Sequence, residues 1–493
     1  MDVIKPHTKT YFKGGLRNIR RKELDSIAKI GADKTRLALH LTPPVGWLND
    51  PNGLCFSNGY YHVFFQYSPE DVNGGRKYWG HYRSADLIDW EYLGVAIRPD
   101  TEFDRDGVYS GSAVAEDGAI SIFYTGNVKF EGDYDYINNG RGSYTIYAVC
   151  EDGVNVKDKT VALRNSDYPP DLTCHVRDPK VWKADGKYYM VLGARTKSDV
   201  GEVLVYESED KLNWRLINRL GSENRLGYMW ECPDLFEVGG LTLLSVSPQG
   251  VEADGYDFNN IYQSGYMPIN GDFRGEYSLG KFKEWDRGFD FYAPQTFEDG
   301  SGRRLLIGWM GMADCGDEYT NPTEYGWQHA LTIPREITVS GGKILQNPAR
   351  EIETLRRERL SIRPGAETEL KPPYEVIAKV SGKRFKAAIS KELILEYKDG
   401  VFAMRFDGDI GGGRSSRSVK LDRLDCVRIV ADATALEVYL NDGEEVFTTR
   451  YYPNRDCIEL FECGADAYKL RPINVDYNGA EILKNKLYGE DEL

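Results

Sequence analysis

Five glycine-containing turns, each between two apolar runs, constrain this chain of 493 residues more than any other feature. They are Asn58-Gly59, Asp117-Gly118, Asp185-Gly186, Gly239-Gly240 and Asp299-Gly300, and successive turn glycines lie 59, 68, 54 and 60 residues apart. A polar or acidic head precedes each: Asp50, Ser110, Asp178, Glu231 and Tyr292, at 9, 8, 8, 9 and 8 positions before the glycine. Such turns between alternating runs read as hairpins. A second repeat, S-x-D-x-x-x-W, occurs at Ser84, Asp86 and Trp90 and again at Ser208, Asp210 and Trp214. A unit of about four strands recurring five times predicts an all-β, five-bladed propeller over residues 37–345.

The spacing also predicts a site. A strand rises roughly 3.3 Å per residue, so eight residues span on the order of 25 Å, about one blade. All five heads then start their strands at the same end, and with these strands innermost they ring one mouth of a central channel. Three heads are acids with a proline close behind: Asp50 with Pro51, Asp178 with Pro179 and Glu231 with Pro233.

Outside the repeat, Leu16, Ile19, Leu24, Ile27 and Ile30 recur at helical spacing and predict a helix over 15–31, within an N-terminal extension of residues 1–36. Packing of that helix on the main domain is preferred over partner binding. Residues 346–372, with Pro364, Pro372 and Pro373, read as a linker. Residues 373–493 read as a β-sandwich, with short alternating runs and an Asp442-Gly443 turn, and are assigned a structural role.

Composition excludes some partners. A formal charge of −15 argues against general affinity for nucleic acid or an anionic membrane. Met1 to Gly14 has no stretch resembling a signal peptide, and no run approaches a membrane span, so a cytoplasmic protein is expected. The eight scattered cysteines are then expected to be free thiols, and the six histidines show no metal-ligand spacing. No metal and no cofactor are expected; the oligomeric state is left open. The 33 tyrosines and 9 tryptophans favour strands, and their faces also suit sugar rings.

Asp50 lies in Trp47-Leu48-Asn49-Asp50-Pro51-Asn52-Gly53, Asp178 in His175-Val176-Arg177-Asp178-Pro179, and Glu231 in Trp230-Glu231-Cys232-Pro233-Asp234. Each segment alone is explicable as a turn, an ion pair or a strand. Together they offer what glycoside hydrolysis requires, one carboxylate that stays ionised and one that arrives protonated. Asp50, beside the amides of Asn49 and Asn52, suits the ionised nucleophile. Glu231, flanked by Trp230, Cys232 and Pro233, suits the proton donor through desolvation. Asp178 is left to hold substrate hydroxyls.

These three segments resemble glycoside hydrolase family 32, with its W-x-N-D-P-N-G, R-D-P and E-C signatures in order. The resemblance continues through Tyr109-Ser110-Gly111-Ser112, Phe291 to Thr296 and Gly308-Trp309-Met310. It implies cleavage of a terminal β-fructofuranoside by a retaining double displacement, with Asp50 as nucleophile, Glu231 as acid/base and Asp178 as transition-state stabiliser. It further implies that Asn49, Gln66, Trp79, Ser110 and Arg177 contact the fructosyl ring, and that Trp47, Tyr292 and Trp309 line the pocket. Gly227 to Phe236, Ser245 to Gly250 and Asp286 to Asp290 look most like the intracellular bacterial branch that acts on sucrose 6-phosphate. Sucrose or its 6-phosphate is the expected substrate, with fructo-oligosaccharide or inulin hydrolysis and fructosyl transfer as alternatives. A non-catalytic sugar-binding propeller is the alternative of another class. Val176, Phe65 to Pro69 and the loop Val72–Lys77 depart from the usual pattern and bear on the leaving half of the substrate. Arg76 and Lys77 read there as a solvated basic pair rather than a phosphate site.

Overall fold

The computed structural model describes residues 15–223, 225–316 and 318–477. It is built almost wholly of antiparallel strands. Four successive sheets begin with strands Gly46–Ser57, Val108–Glu116, Leu172–Ala184 and Met229–Val238, and a fifth begins with Tyr292–Glu298. In each, the first strand turns back into the second across one of the five glycine turns. Four of the turns place both central residues at positive φ, as at Asn58 (50°) and Gly59 (81°), which is the two-residue hairpin turn whose twist suits its strands. The fifth differs. Glu298 pairs with Arg304, so a longer loop intervenes, drawn together by the Asp299 carboxylate on the amides of Ser301 and Arg303.

The first strands of the five sheets touch in cyclic order, and Tyr292–Glu298 packs back against Gly46–Ser57. A short strand, Trp327–Gln328, also pairs in parallel with Gly46 and Trp47, tying the last sheet's connections to the first sheet. The S-x-D-x-x-x-W repeat is a turn motif on the outer strands. Ser84 donates to Asp86 at 3.1 Å and the Trp90 indole to the Leu87 carbonyl at 3.0 Å, while Ser208, Asp210 and Trp214 repeat both bonds.

The helix spans Gly15–Ile27, shorter than expected, because the chain tightens into turns at Ala28 and Lys29 and a 3-10 segment at Ile30–Ala32. It docks on the first sheet. Ile19 is buried, and the buried Glu23 carboxylate accepts from Tyr67 at 3.0 Å and Tyr92 at 2.6 Å. The expected extension also includes residues 1–14, which lie outside the described residues, as do the sandwich's residues 478–493.

Beyond Pro348 come two six-stranded sheets. The stretch expected as a linker is not one: Arg356–Ile362 pairs with Ala465–Leu470, and Glu367–Glu369 pairs with Cys457–Leu460. The prolines that suggested a linker stand at the ends of these strands, where no ladder hydrogen bond is lost. The two parts of the chain meet across buried charge. Arg335 reaches Glu437 at 2.7 Å and Asp286 at 3.0 Å, Arg414 clasps Asp290, and Thr448 donates to Asp286. Gly288 sits so close to this seam that a Cβ there would lie 2.0 Å from the Thr448 carbonyl oxygen.

Candidate active site

Each first strand carries a β-bulge at its head. Asn49 and Asp50 oppose the single residue Gln66, and Tyr109 and Ser110 oppose Thr125. Asp178 and Pro179 oppose Leu192, Cys232 and Pro233 oppose Val246, and Ala293 and Pro294 oppose Gly308. A bulge re-aims side chains and breaks the ladder at one residue, which is why proline, lacking an N–H, is tolerated beside three of the heads. Positive φ at Asp178 (65°), Cys232 (45°) and Ala293 (49°) marks the same positions. The repeated head is thus a repeated bulge.

The bulges bring the three acids together around Cys232. Its thiol lies 3.7 Å from the Asp50 Oδ2 and 3.7 Å from the Asp178 Oδ2. Asp178 Oδ2 also accepts from the Cys232 backbone N–H at 3.0 Å. Burial pushes this thiol well up, and the negative charges of Asp178 and Asp50 add to it, so Cys232 is a protonated spacer between carboxylates.

Asp50 accepts from Ser110 Oγ at 2.5 Å and from Asn49 Nδ2 at 3.0 Å, and Asn49 in turn accepts from the Trp47 indole at 2.9 Å. Burial raises the Asp50 carboxyl above its ordinary range and Glu231 adds to the rise; the two hydrogen bonds and the Lys77 ammonium oppose it. Asp178 is lifted to about 7, by burial first and then by Glu231, against the pull of Arg177.

Glu231 is surrounded otherwise than its sequence neighbours suggest. Oε1 accepts from Arg177 at 3.2 and 2.7 Å, and Oε2 accepts from Gln249 at 2.8 Å and from the Tyr292 hydroxyl at 2.6 Å. Trp230 is fully buried away from it, with its indole donating to the Leu226 carbonyl. The expected apolar nest is therefore replaced by four polar contacts from three other strands.

Trp47, Tyr292 and Trp309 form one aromatic wall, with Trp309 5.9 Å from Trp47 and 6.3 Å from Tyr292 between ring centroids. The Trp309 indole nitrogen is buried without a partner. Gln66 stands behind the first bulge and donates to the Val108 carbonyl at 3.0 Å. Trp79 has no accessible surface and its indole donates to the Tyr109 carbonyl, so it backs the wall and offers a ligand nothing in this state. It lies on the third strand of its sheet, one layer outside the bulge.

Several groups at the site were missed in the sequence. Lys77 lies over the Trp47 ring at 5.3 Å, within electrostatic reach of Asp50, and burial lowers it to about 8. It is no solvated partner of Arg76, which is exposed. His329 meets Trp47 edge-on at 4.2 Å and Trp309 at 5.2 Å, with both ring nitrogens unpartnered. Gln249 had a signal in the quoted Ser245 to Gly250 segment; the isolated His329 had none.

Carboxyl groups in unlike surroundings beneath an aromatic wall define a site of the glycoside-cleaving class. Comparison with known proteins agrees. Residues 40–348 match the profile described as Glycosyl hydrolases family 32 N-terminal domain, and residues 416–476 match Glycosyl hydrolases family 32 C terminal. The chain belongs to glycosyl hydrolase family 32. It is 38% identical over 457 residues to a sucrose-6-phosphate hydrolase of Bacillus subtilis, covering 88% of this chain and 93% of that protein. A β-fructofuranosidase mutant of Bombyx mori solved in complex with sucrose superposes with a TM-score of 0.82 at 32% identity, covering 94% of this chain and 100% of that one. A sucrose-6-phosphate hydrolase of Lactobacillus gasseri gives 0.82 at 26% identity, over 95% and 98%.

Proposed function

We propose that the chain hydrolyses sucrose or sucrose 6-phosphate and releases fructose, through a fructosyl–enzyme intermediate. The observation that carries this is the meeting of Asp50, Asp178 and Glu231 at the bulges of the first, third and fourth sheets beneath the Trp47–Trp309 wall. Asp50 attacks the anomeric carbon of the fructosyl ring as Glu231 protonates the departing oxygen. Glu231 then takes a proton from the water that releases fructose. Asp178 faces the ring as positive charge develops, and Ser110 and Asn49 hold the nucleophile on line. Arg177, Tyr292 and Gln249 hold Glu231.

The cyclic contacts among the first strands support a five-bladed propeller as the catalytic unit, from about residue 37 to Pro348, and the paired six-stranded sheets support a β-sandwich from Arg356 onward. No described helix is long and apolar enough to cross a membrane. A cytoplasmic setting fits a phosphorylated substrate, which is made during uptake.

Fructose release from both sugars, measured for wild type, Asp50→Ala and Glu231→Ala, tests the assignment. Losses of at least about a thousandfold are expected for both variants; undiminished release by either sinks its role. Methanol as acceptor tests the double displacement, which must give methyl β-D-fructofuranoside; the α anomer would mean inversion.

A further inference from the structure

The basic side chains at the head end nearly all have partners. Arg177 is held by Glu231, Lys77 covers Trp47, and Arg195 pairs with Asp199 at 2.6 Å while lying over the Tyr228 ring. Arg141 differs. Four described arginines have a buried guanidinium nitrogen without a hydrogen-bond partner: Arg20, Arg141, Arg304 and Arg428. Arg20, Arg304 and Arg428 each have a carboxylate elsewhere on the same group, Glu23, Glu298 and Glu375. Among the described residues Arg141 has none, and only Tyr109 and Cys174 favour its charge. A half-buried guanidinium with no counter-ion costs stability, and a ligand anion removes that cost.

Its place in the fold says which anion. Arg141 opens the third strand of the second sheet. Ser143, two residues on and therefore on the same strand face, donates to the Cys174 carbonyl at 2.8 Å. That face therefore lies against the segment Cys174-His175-Val176-Arg177. Arg177 is an electrostatic neighbour of Arg141 and is itself bonded to Glu231. His175 accepts from Arg177 at 2.7 Å through Nδ1. Burial and the surrounding Arg177, Arg141 and Arg195 keep that ring neutral, and the Tyr136 backbone is among its hydrogen-bond neighbours. Arg141 thus neighbours the arginine that holds Glu231, whereas Lys77 neighbours Asp50. The group that Glu231 protonates belongs to the leaving sugar, so an anion held beside Arg177 falls to that sugar.

We propose that Arg141 is the subsite for the phosphate monoester on the leaving sugar. This rests on the fructosidase reading above. A planar guanidinium forks onto two phosphate oxygens, which gives strength and orientation together. Arg76 is exposed and lies beside Tyr78, so unlike Arg141 it has no burial cost for an anion to relieve.

The test is calorimetric titration of the full chain, Arg141→Gln and Arg141→Lys with glucose 6-phosphate, glucose and inorganic phosphate, alongside kcat/KM for sucrose 6-phosphate and sucrose. Wild type is expected to bind glucose 6-phosphate at least about tenfold more tightly than glucose. Arg141→Gln loses that preference and drops about ten- to a hundredfold on sucrose 6-phosphate, with sucrose changed by less than about threefold. Arg141→Lys retains part of the preference. Equal losses on both substrates, an unchanged preference in Arg141→Gln, or inorganic phosphate binding as tightly as the sugar phosphate would each overturn the subsite. Binding does not require cleavage, so the two readings fail separately. A wild type that binds glucose 6-phosphate through Arg141 yet frees no fructose refutes the fructosidase reading alone. One that cleaves sucrose without any phosphate preference refutes the subsite alone.

Discussion

His40 holds the two parts of the chain together, and its titration sets a measurable limit on stability. Its side chain is 0% exposed, with Nδ1 2.8 Å from Asp432 and Nε2 3.1 Å from Glu437. Two ring nitrogens facing two carboxylates require the imidazolium, which donates from both. Burial works against that charge, but Asp432 and Glu437 outweigh it and raise the ring to about 9. The folded value lies above the unfolded value of about 6.5, so the stabilisation is whole below pH 6.5 and is lost as pH rises through 9. A gap of about 2.5 units at 1.36 kcal/mol each amounts to about 3 kcal/mol. His40→Gln keeps a hydrogen bond and removes the charge, leaving Asp432 without its counter-ion and Glu437 with Arg335 alone. Urea unfolding of both proteins at pH 6 and pH 10 gives the result. At pH 6 the variant is expected to be less stable by about 3 kcal/mol or more. Wild type then loses about 3 kcal/mol more than the variant on going to pH 10. Parallel pH dependences in the two proteins would refute the argument.

Three further outcomes follow from the geometry. Lys77→Met removes the cation that opposes the rise of Asp50, so the acid limb of the kcat/KM profile should move up by roughly one unit, and an unmoved limb would separate Lys77 from Asp50. Tyr292→Phe deletes the 2.6 Å bond to Glu231 and should lower kcat/KM about tenfold or more with little change in thermal midpoint; full activity would show that the bond is idle in the transition state. Gly288→Ala forces a Cβ against the Thr448 carbonyl oxygen and should cost about 1–3 kcal/mol by overpacking the seam, read as a fall in thermal midpoint; an unchanged midpoint would mean the seam yields.

The turns and heads could be read from the chain because both are local. Asn-Gly and Asp-Gly pairs need only their own φ values, and the head offset needs only a strand's rise. The bulges could not be read, since a bulge is a property of two paired strands, although the prolines at 179, 233 and 294 were its trace. The same distinction explains the errors. The surroundings of Glu231 were inferred from Trp230, Cys232 and Pro233, yet its partners come from Arg177, Gln249 and Tyr292 on three other strands. Trp79 belonged to the right motif but to the third strand, one layer too far out. Residues 356–369 looked like linker because their partners lie about a hundred residues later. The Asp286 to Asp290 segment, part of the family resemblance, also has a structural task the chain alone does not reveal: it binds Thr448 and Arg414 and docks the second part of the chain.

The crowding of the acids has a catalytic consequence. Neighbouring negative charges add to burial in holding a proton on one of several crowded carboxyl groups near neutrality. Asp178, at about 7, is raised first by burial and then by Glu231 and Asp50, while Ser110, Asn49 and Lys77 oppose the rise of Asp50. Arg177 is tied to Glu231 and lies 3.9 Å from Asp178, too far to cancel the repulsion fully. On the proposed roles, a fructosyl ring entering this space brings no charge in the ground state and gains positive charge only as its bond to the leaving oxygen breaks. That charge relieves the repulsion among the acids at the moment it forms, so the carboxylates act more strongly on the transition state than on bound substrate. Replacing Asp178 by Asn would remove the repulsion and the relief together, and the loss should therefore appear in kcat with KM little changed.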